Sequence, residues 1–190
     1  MITKIKTKIK DRIEIPTMRS LLKYLLIFFA IMFLLFVFIS KRMFVFLAIS
    51  LAITTLVALM MRTLRRTPIG LEFVMFPTVL SGFAYGPVAG AVMGGLCILI
   101  DDIISAKISP YSLTYIPMYM LAGFFASFFS GSSIALIGIT TVIAYNAVGA
   151  AVWSAMGARP YRTLIFSTTN IFFNIILFTK VAPLALQLIR

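Results

Sequence analysis

The stretch Gly82-Phe-Ala-Tyr-Gly-Pro-Val-Ala-Gly-Ala-Val-Met-Gly-Gly-Leu-Cys-Ile-Leu-Ile-Asp-Asp102 decides how this chain is read. It sets Gly82, Gly86, Gly90 and Gly94 four apart, then closes an apolar run on two adjacent carboxylates. Glycines at that spacing clear one stripe of a membrane helix, so a neighbouring backbone can approach closely. The four are read as helix-packing positions. Tyr85-Gly86-Pro87 interrupts the stripe, because proline lacks an amide donor and disfavours helix in the residue before it. The spacing therefore predicts a hairpin, with Gly82 near the end of one helix and Gly90, Gly94 and Gly95 in the next.

Composition sets the solvent. With 190 residues, 62% hydrophobic and 12% charged, and a mean hydropathy of +1.09, the chain is too apolar for a small soluble domain. Its charges fall between long apolar runs, as in an integral membrane protein. The net charge of +12 then reads as topology signals and contacts with anionic lipid headgroups, not nucleic acid. There is no histidine, which removes His-based metal and haem ligation and the commonest general base. Cys97 is the single cysteine, so the chain has no internal disulfide. No cofactor or metal is expected.

Taken in order, residues 1–20 form a basic tail lying on anionic lipid. Residues 21–42 carry an extra N-terminal transmembrane helix, from about 21 to 39, too long for a signal-peptide core. Residues 43–190 form a six-helix membrane core, with helices at about 43–61, 69–84, 87–104, 111–129, 134–155 and 163–178. The second of these is short, contains Pro77 and carries Glu72 near its start. Short, interrupted apolar segments are the usual pointer to a transporter's binding region. The fold class is an all-α polytopic bundle of about seven transmembrane helices. With the N-terminus inside, the inner side collects the tail cations, Lys23, Arg62, Arg65, Arg66, Lys107, Arg159 and Arg162. Lys41, Arg42, Lys180 and Arg190 remain outside, so the positive-inside rule favours this orientation.

Enzymatic signals are weak. Asp101-Asp102 is a partial match to a magnesium–diphosphate site, but such sites gather several carboxylates from two helices. Only five acidic residues exist, two of them in the tail, so the chain is not expected to be an enzyme. A binding role suits the residues better. Polar groups inside spans are costly and face a cavity or a partner. Asn146, Asn170 and Asn174 serve either a ligand or interhelical hydrogen bonding. Trp153 and the tyrosines Tyr111, Tyr115 and Tyr119 form either an aromatic wall or an interfacial belt. Glu72, Asp101 and Asp102 at helix ends are either solvated or in contact with a ligand.

From Ile69 to Phe129 the pattern resembles the substrate-binding S component of energy-coupling factor (ECF) vitamin transporters. Pro77, Gly82-Phe-Ala-Tyr-Gly-Pro-Val-Ala-Gly90, Gly94 and Asp101 carry the likeness, with Asn146 and Trp153 before a Gly-containing loop. The resemblance covers residues 43–190 and implies a small-molecule site near the outer face. Glu72, Asp101, Tyr115, Asn146, Trp153 and Asn174 are its candidate ligand residues. Ala48 and Ala52 match the small-residue surface by which the family docks on its transmembrane coupling subunit. The resemblance further implies two partner ATPases, no nucleotide site on this chain, and a multi-pass location in the cell (plasma) membrane. The competing reading is a non-catalytic structural subunit that scaffolds a membrane complex.

Overall fold

A computed structural model describes residues 40–63 and 69–189 of the chain. The basic tail, the helix expected at 21–39, and Arg65, Arg66, Pro68 and Arg190 lie outside the described residues. Those residues form helices and connections without strands: α1 (Lys41–Thr63), α2 (Met75–Tyr85), α3 (Pro87–Ser105), α4 (Ser112–Ala126), α5 (Ile134–Ala155), α6 (Pro160–Ile176) and α7 (Ala182–Ile189). A single 3-10 turn, Ser127–Phe129, extends α4, and a π-helical turn, Leu177–Val181, joins α6 to α7 without a break.

Among the described residues, five helices are long and apolar enough to cross a bilayer: Lys41–Thr63, Pro87–Ser105, Ser112–Phe129, Ile134–Ala155 and Pro160–Ile189. The protein is a helical membrane protein. Two expectations need correction. The helix expected at 69–84 begins only at Met75, and its 11 residues rise about 16 Å, half of a hydrocarbon core of about 30 Å. Residues 69–74 form a non-helical strap ahead of it, and Glu72 sits on the strap, not in the helix. Pro77 occupies the first turn of α2, where a missing amide breaks no intrahelical bond.

The second correction concerns the last helix, which runs to Ile189 instead of ending near 178. Pro183 offers no amide to the carbonyl one turn earlier, and its ring crowds that carbonyl. The wider Leu177–Val181 turn directly before it lets the helix continue. Phe178, in that turn, is fully buried against Gly138 of α5 and packs on Phe76 in a tilted contact with ring centres 5.5 Å apart.

The hairpin at residues 82–94 is the packing centre. Gly86 has φ +96°, a conformation glycine adopts without strain, and Pro87 then opens α3 at its first position. A side chain at Gly86 would meet nothing, so its role is the reversal rather than helix packing. Gly82, Gly90 and Gly94 differ from it. A Cβ on Gly82 or Gly90 would strike the Gly123 carbonyl of α4, and one on Gly94 would lie 2.6 Å from the Tyr119 carbonyl. Backbones of α2, α3 and α4 converge here, and this trio is the densest part of the bundle. On α1, Ser50, Thr54 and Ala58 form a buried stripe, whereas Ala48 is half-buried and Ala52 exposed.

Candidate functional site

The strap 69–74 is tied down from α6 and α4. The Gly70 amide donates to Thr169 Oγ1 at 2.8 Å, and Asn170 Nδ2 donates to the Gly70 carbonyl at 3.1 Å. The same Nδ2 lies 3.1 Å from Glu72 Oε1, which also accepts a hydrogen bond from the Tyr119 hydroxyl. Gly70 permits this closeness, since a Cβ there would strike the Phe166 carbonyl. Asn170 is held in turn, because Asn146 Nδ2 donates to its Oδ1 at 2.9 Å. The result is a buried polar chain from α5 through α6 to the strap, and it fixes Glu72 at 6% exposure.

The end of α3 supplies the second half of the site. Ala106 closes this helix in the left-handed conformation (φ 50°, ψ 47°), and the Lys107 amide returns to the Asp102 carbonyl at 3.0 Å. The turn sends the Lys107 side chain back to Asp101 Oδ2 at 3.4 Å. Asp102 is occupied differently: the Tyr115 hydroxyl lies 2.8 and 2.7 Å from its two oxygens, and Ser112 Oγ donates to Oδ2 at 2.8 Å. Asp102 thus clamps the start of α4 to the end of α3.

Aromatic rings form the remaining wall. Tyr145 and Trp153 have ring centres 6.0 Å apart, and Trp153 and Phe166 5.9 Å; the buried Tyr119, outside the lining, packs on Tyr145 at 4.5 Å. Between the strap, the 101–111 region and this wall lies a cavity of about 410 Å³. That falls within the range of about 300–1,000 Å³ typical of small-molecule sites. Its more accessible lining residues include Lys107 and the half-buried Ser109, from the connection after α3, and the exposed Arg162, in the first turn of α6. A second cavity of about 390 Å³ lies between α4 and α5 and is almost wholly apolar, lined by residues such as Leu121, Phe125, Ile137 and Val148.

Of the residues singled out from the sequence, Glu72, Asp101, Asp102, Tyr111, Tyr115 and Trp153 line the polar cavity. Asn146 and Asn174 do not. Asn146 stands behind the cavity, bonded to Asn170 and to the Val142 carbonyl at 2.9 Å. Asn174 donates to the Asn170 carbonyl at 3.0 Å, within its own helix. Asn146 belongs to the polar chain that supports Glu72, Asn174 bonds only within its helix, and neither is in the lining. Tyr145 and Phe166 line the cavity without any sequence signal, because an aromatic residue in an apolar run reads alike facing lipid or a cavity. Asn170 had a signal, as a polar side chain inside a span, but its pairing with Glu72 had none. Among the described residues no three acidic or thiol side chains come together as a metal-ligand set.

The chain matches no family model, no curated protein and no solved structure.

Proposed function

We propose that this protein is a membrane-embedded substrate-binding subunit, of the kind that serves ECF-type uptake systems for vitamin-like compounds. The observation that carries the reading is the polar, aromatic-walled cavity held at one end of an otherwise apolar bundle. Three acidic residues, none more than 6% exposed, are expensive in a membrane protein, and they sit on that cavity. Asp102 serves packing by clamping α4 to α3, but Glu72 and Asp101 each keep one carboxyl oxygen without a partner among the described residues. Capture would occur in the cavity, with the strap 69–74 and the connections at 106–111 and 156–159 forming its rim. Ala48 and the exposed Ala52 on α1 are the proposed docking face for a transmembrane coupling subunit, with partner ATPases driving transport and anionic lipid holding the basic tail.

The alternative, a non-catalytic structural subunit, takes the glycine stripe as a packing device and the sparse polar groups as needing no ligand. That stripe is consumed within the chain, where Gly82, Gly90 and Gly94 receive the backbone of α4. The test is a mild-detergent purification from native membranes, with mass spectrometry of co-purifying proteins and extracted small molecules. Recovery of paired ATPases, a coupling subunit or a stoichiometric small molecule is the expected result. Recovery of an unrelated membrane assembly with no small molecule would overturn it.

A further inference from the structure

The inner cavity has one dominant chemistry. Among the described residues, Glu72, Asp101 and Asp102 face it, against two cations, and both cations stand at its exposed rim: Lys107, 3.4 Å from Asp101, and Arg162. Asp102 is saturated by Tyr115 and Ser112. Glu72 and Asp101 are not. Both hydrogen bonds on the Glu72 side chain fall on Oε1, and the one on the Asp101 side chain falls on Oδ2. Glu72 Oε2 and Asp101 Oδ1 accept nothing among the described residues.

A second, independent observation lies on the facing wall. Trp153 lines the same cavity at 9% exposure, and its indole Nε1–H has no hydrogen-bond partner. That group can only donate, and a buried donor left unpaired is costly. The site therefore offers acceptors on the carboxyl side, an unpaired donor buried within the indole wall, and the rings of Tyr145, Trp153 and Phe166. Aromatic faces attract cations and stack on flat rings.

Resting on the small-molecule reading above, we infer that the cavity takes an arylalkylamine: a protonated nitrogen meets Glu72 and Asp101, and a ring acceptor meets the Trp153 Nε1–H. A carboxylate-bearing ligand is disfavoured, because it would face three carboxyl groups with Lys107 already engaged by Asp101. Arg162 at the rim leaves room for a polar or anionic substituent pointing outward, but not for an anion at depth.

The experiment is affinity-selection mass spectrometry on the detergent-purified full chain. The probe is a mixture of phenyl, pyridin-3-yl and indol-3-yl compounds, each with an aminoethyl, an acetamidoethyl or a carboxyethyl arm. Retention of the amines, reduced about tenfold or more in Glu72→Gln and Asp101→Asn, is expected. Both substitutions keep side-chain shape and an acceptor oxygen, so the fold should survive, which size-exclusion chromatography checks. Trp153→Phe should weaken the pyridine amine more than the phenyl amine, which offers no acceptor. An equal loss for both would overturn the role given to Trp153. Preferential retention of the amides or acids would overturn the amine assignment while leaving a binding subunit in place. Amines held equally by the wild type and both carboxyl variants would overturn it too. If no member is retained at all, the small-molecule reading itself fails, and the amine assignment with it.

Discussion

Asn170 and Glu72 stand 98 positions apart, yet Asn170 Nδ2 reaches Glu72 Oε1 at 3.1 Å and the Gly70 carbonyl at the same distance. One amide group therefore decides where the strap lies and where its carboxyl points. Asn170→Leu keeps the volume but leaves Gly70, Glu72 and Asn146 each short of a partner. The expected cost is about 1–3 kcal/mol, toward the lower end if the membrane-unfolded state finds substitute partners. Thermal unfolding of the detergent-purified protein measures it. A midpoint equal to the wild type would show that the strap is held by Thr169 and Tyr119 alone.

Gly123 on α4 meets the Gly90 carbonyl of α3 so closely that a single methyl group has no space. The clash is with backbone, which cannot rotate away. Gly123→Ala should therefore separate α3 from α4 and sharply lower the yield of monodisperse protein. Gly131→Ala is the control, since a Cβ there meets nothing and the residue has no positive φ. Equal behaviour of the two variants in size-exclusion chromatography would contradict the close approach.

Ala106 adopts the left-handed conformation at the end of α3, where an L side chain is strained. Replacing it with glycine relieves that strain but adds freedom to the unfolded chain. Relief of strain exceeds the entropic loss, so Ala106→Gly should stabilise by about 0.5–1 kcal/mol. A lower melting midpoint would mean that the Ala106 methyl contributes contacts worth more than the strain it carries.

The side of the membrane on which the cavity opens separates two physical arguments. Uptake requires an opening to the outside. Lys107 and Arg162 line the cavity and Arg159 neighbours its lining residue Ala158, and the positive-inside rule draws such residues to the cytosol. Ser109 lines the cavity, and the native Cys97 is fully buried, so it stays silent toward reagents. In intact cells, Ser109→Cys should react with a membrane-impermeant maleimide if the protein captures substrate from outside. Labelling only after the cells are opened would put the cavity on the inner face and remove the uptake role.

Parts of this arrangement were legible in order along the chain. Gly86 and Pro87 announce the reversal because their constraints are local, one to φ and one to the amide. Gly90 and Gly94 announce a close approach, though not that Gly123 would receive them. Met75 as the true start of α2 was not legible, since Ile69 to Val74 is as apolar as the helix that follows. What pulls those residues out of the helix is Asn170 and Thr169, a hundred positions away. The continuation past Pro183 was hidden for a similar reason: a π-helical turn carries no composition of its own.

The sequence by itself determined the solvent, the helical class, the hairpin at Gly86 and the polar residues that a membrane would tolerate only in pairs or in a cavity. Each follows from local rules: hydropathy over a span, the dihedral range of glycine and proline, and the cost of burying a polar group. Only the tertiary structure decided the partnerships. It placed Glu72, Asp101, Tyr115 and Trp153 around one cavity and set Asn146 and Asn174 behind it. Spacing within one helix says which side chains share a face, but which face meets which depends on how separate helices pack. That packing is set by whole surfaces in contact, and no single stretch of the chain contains it.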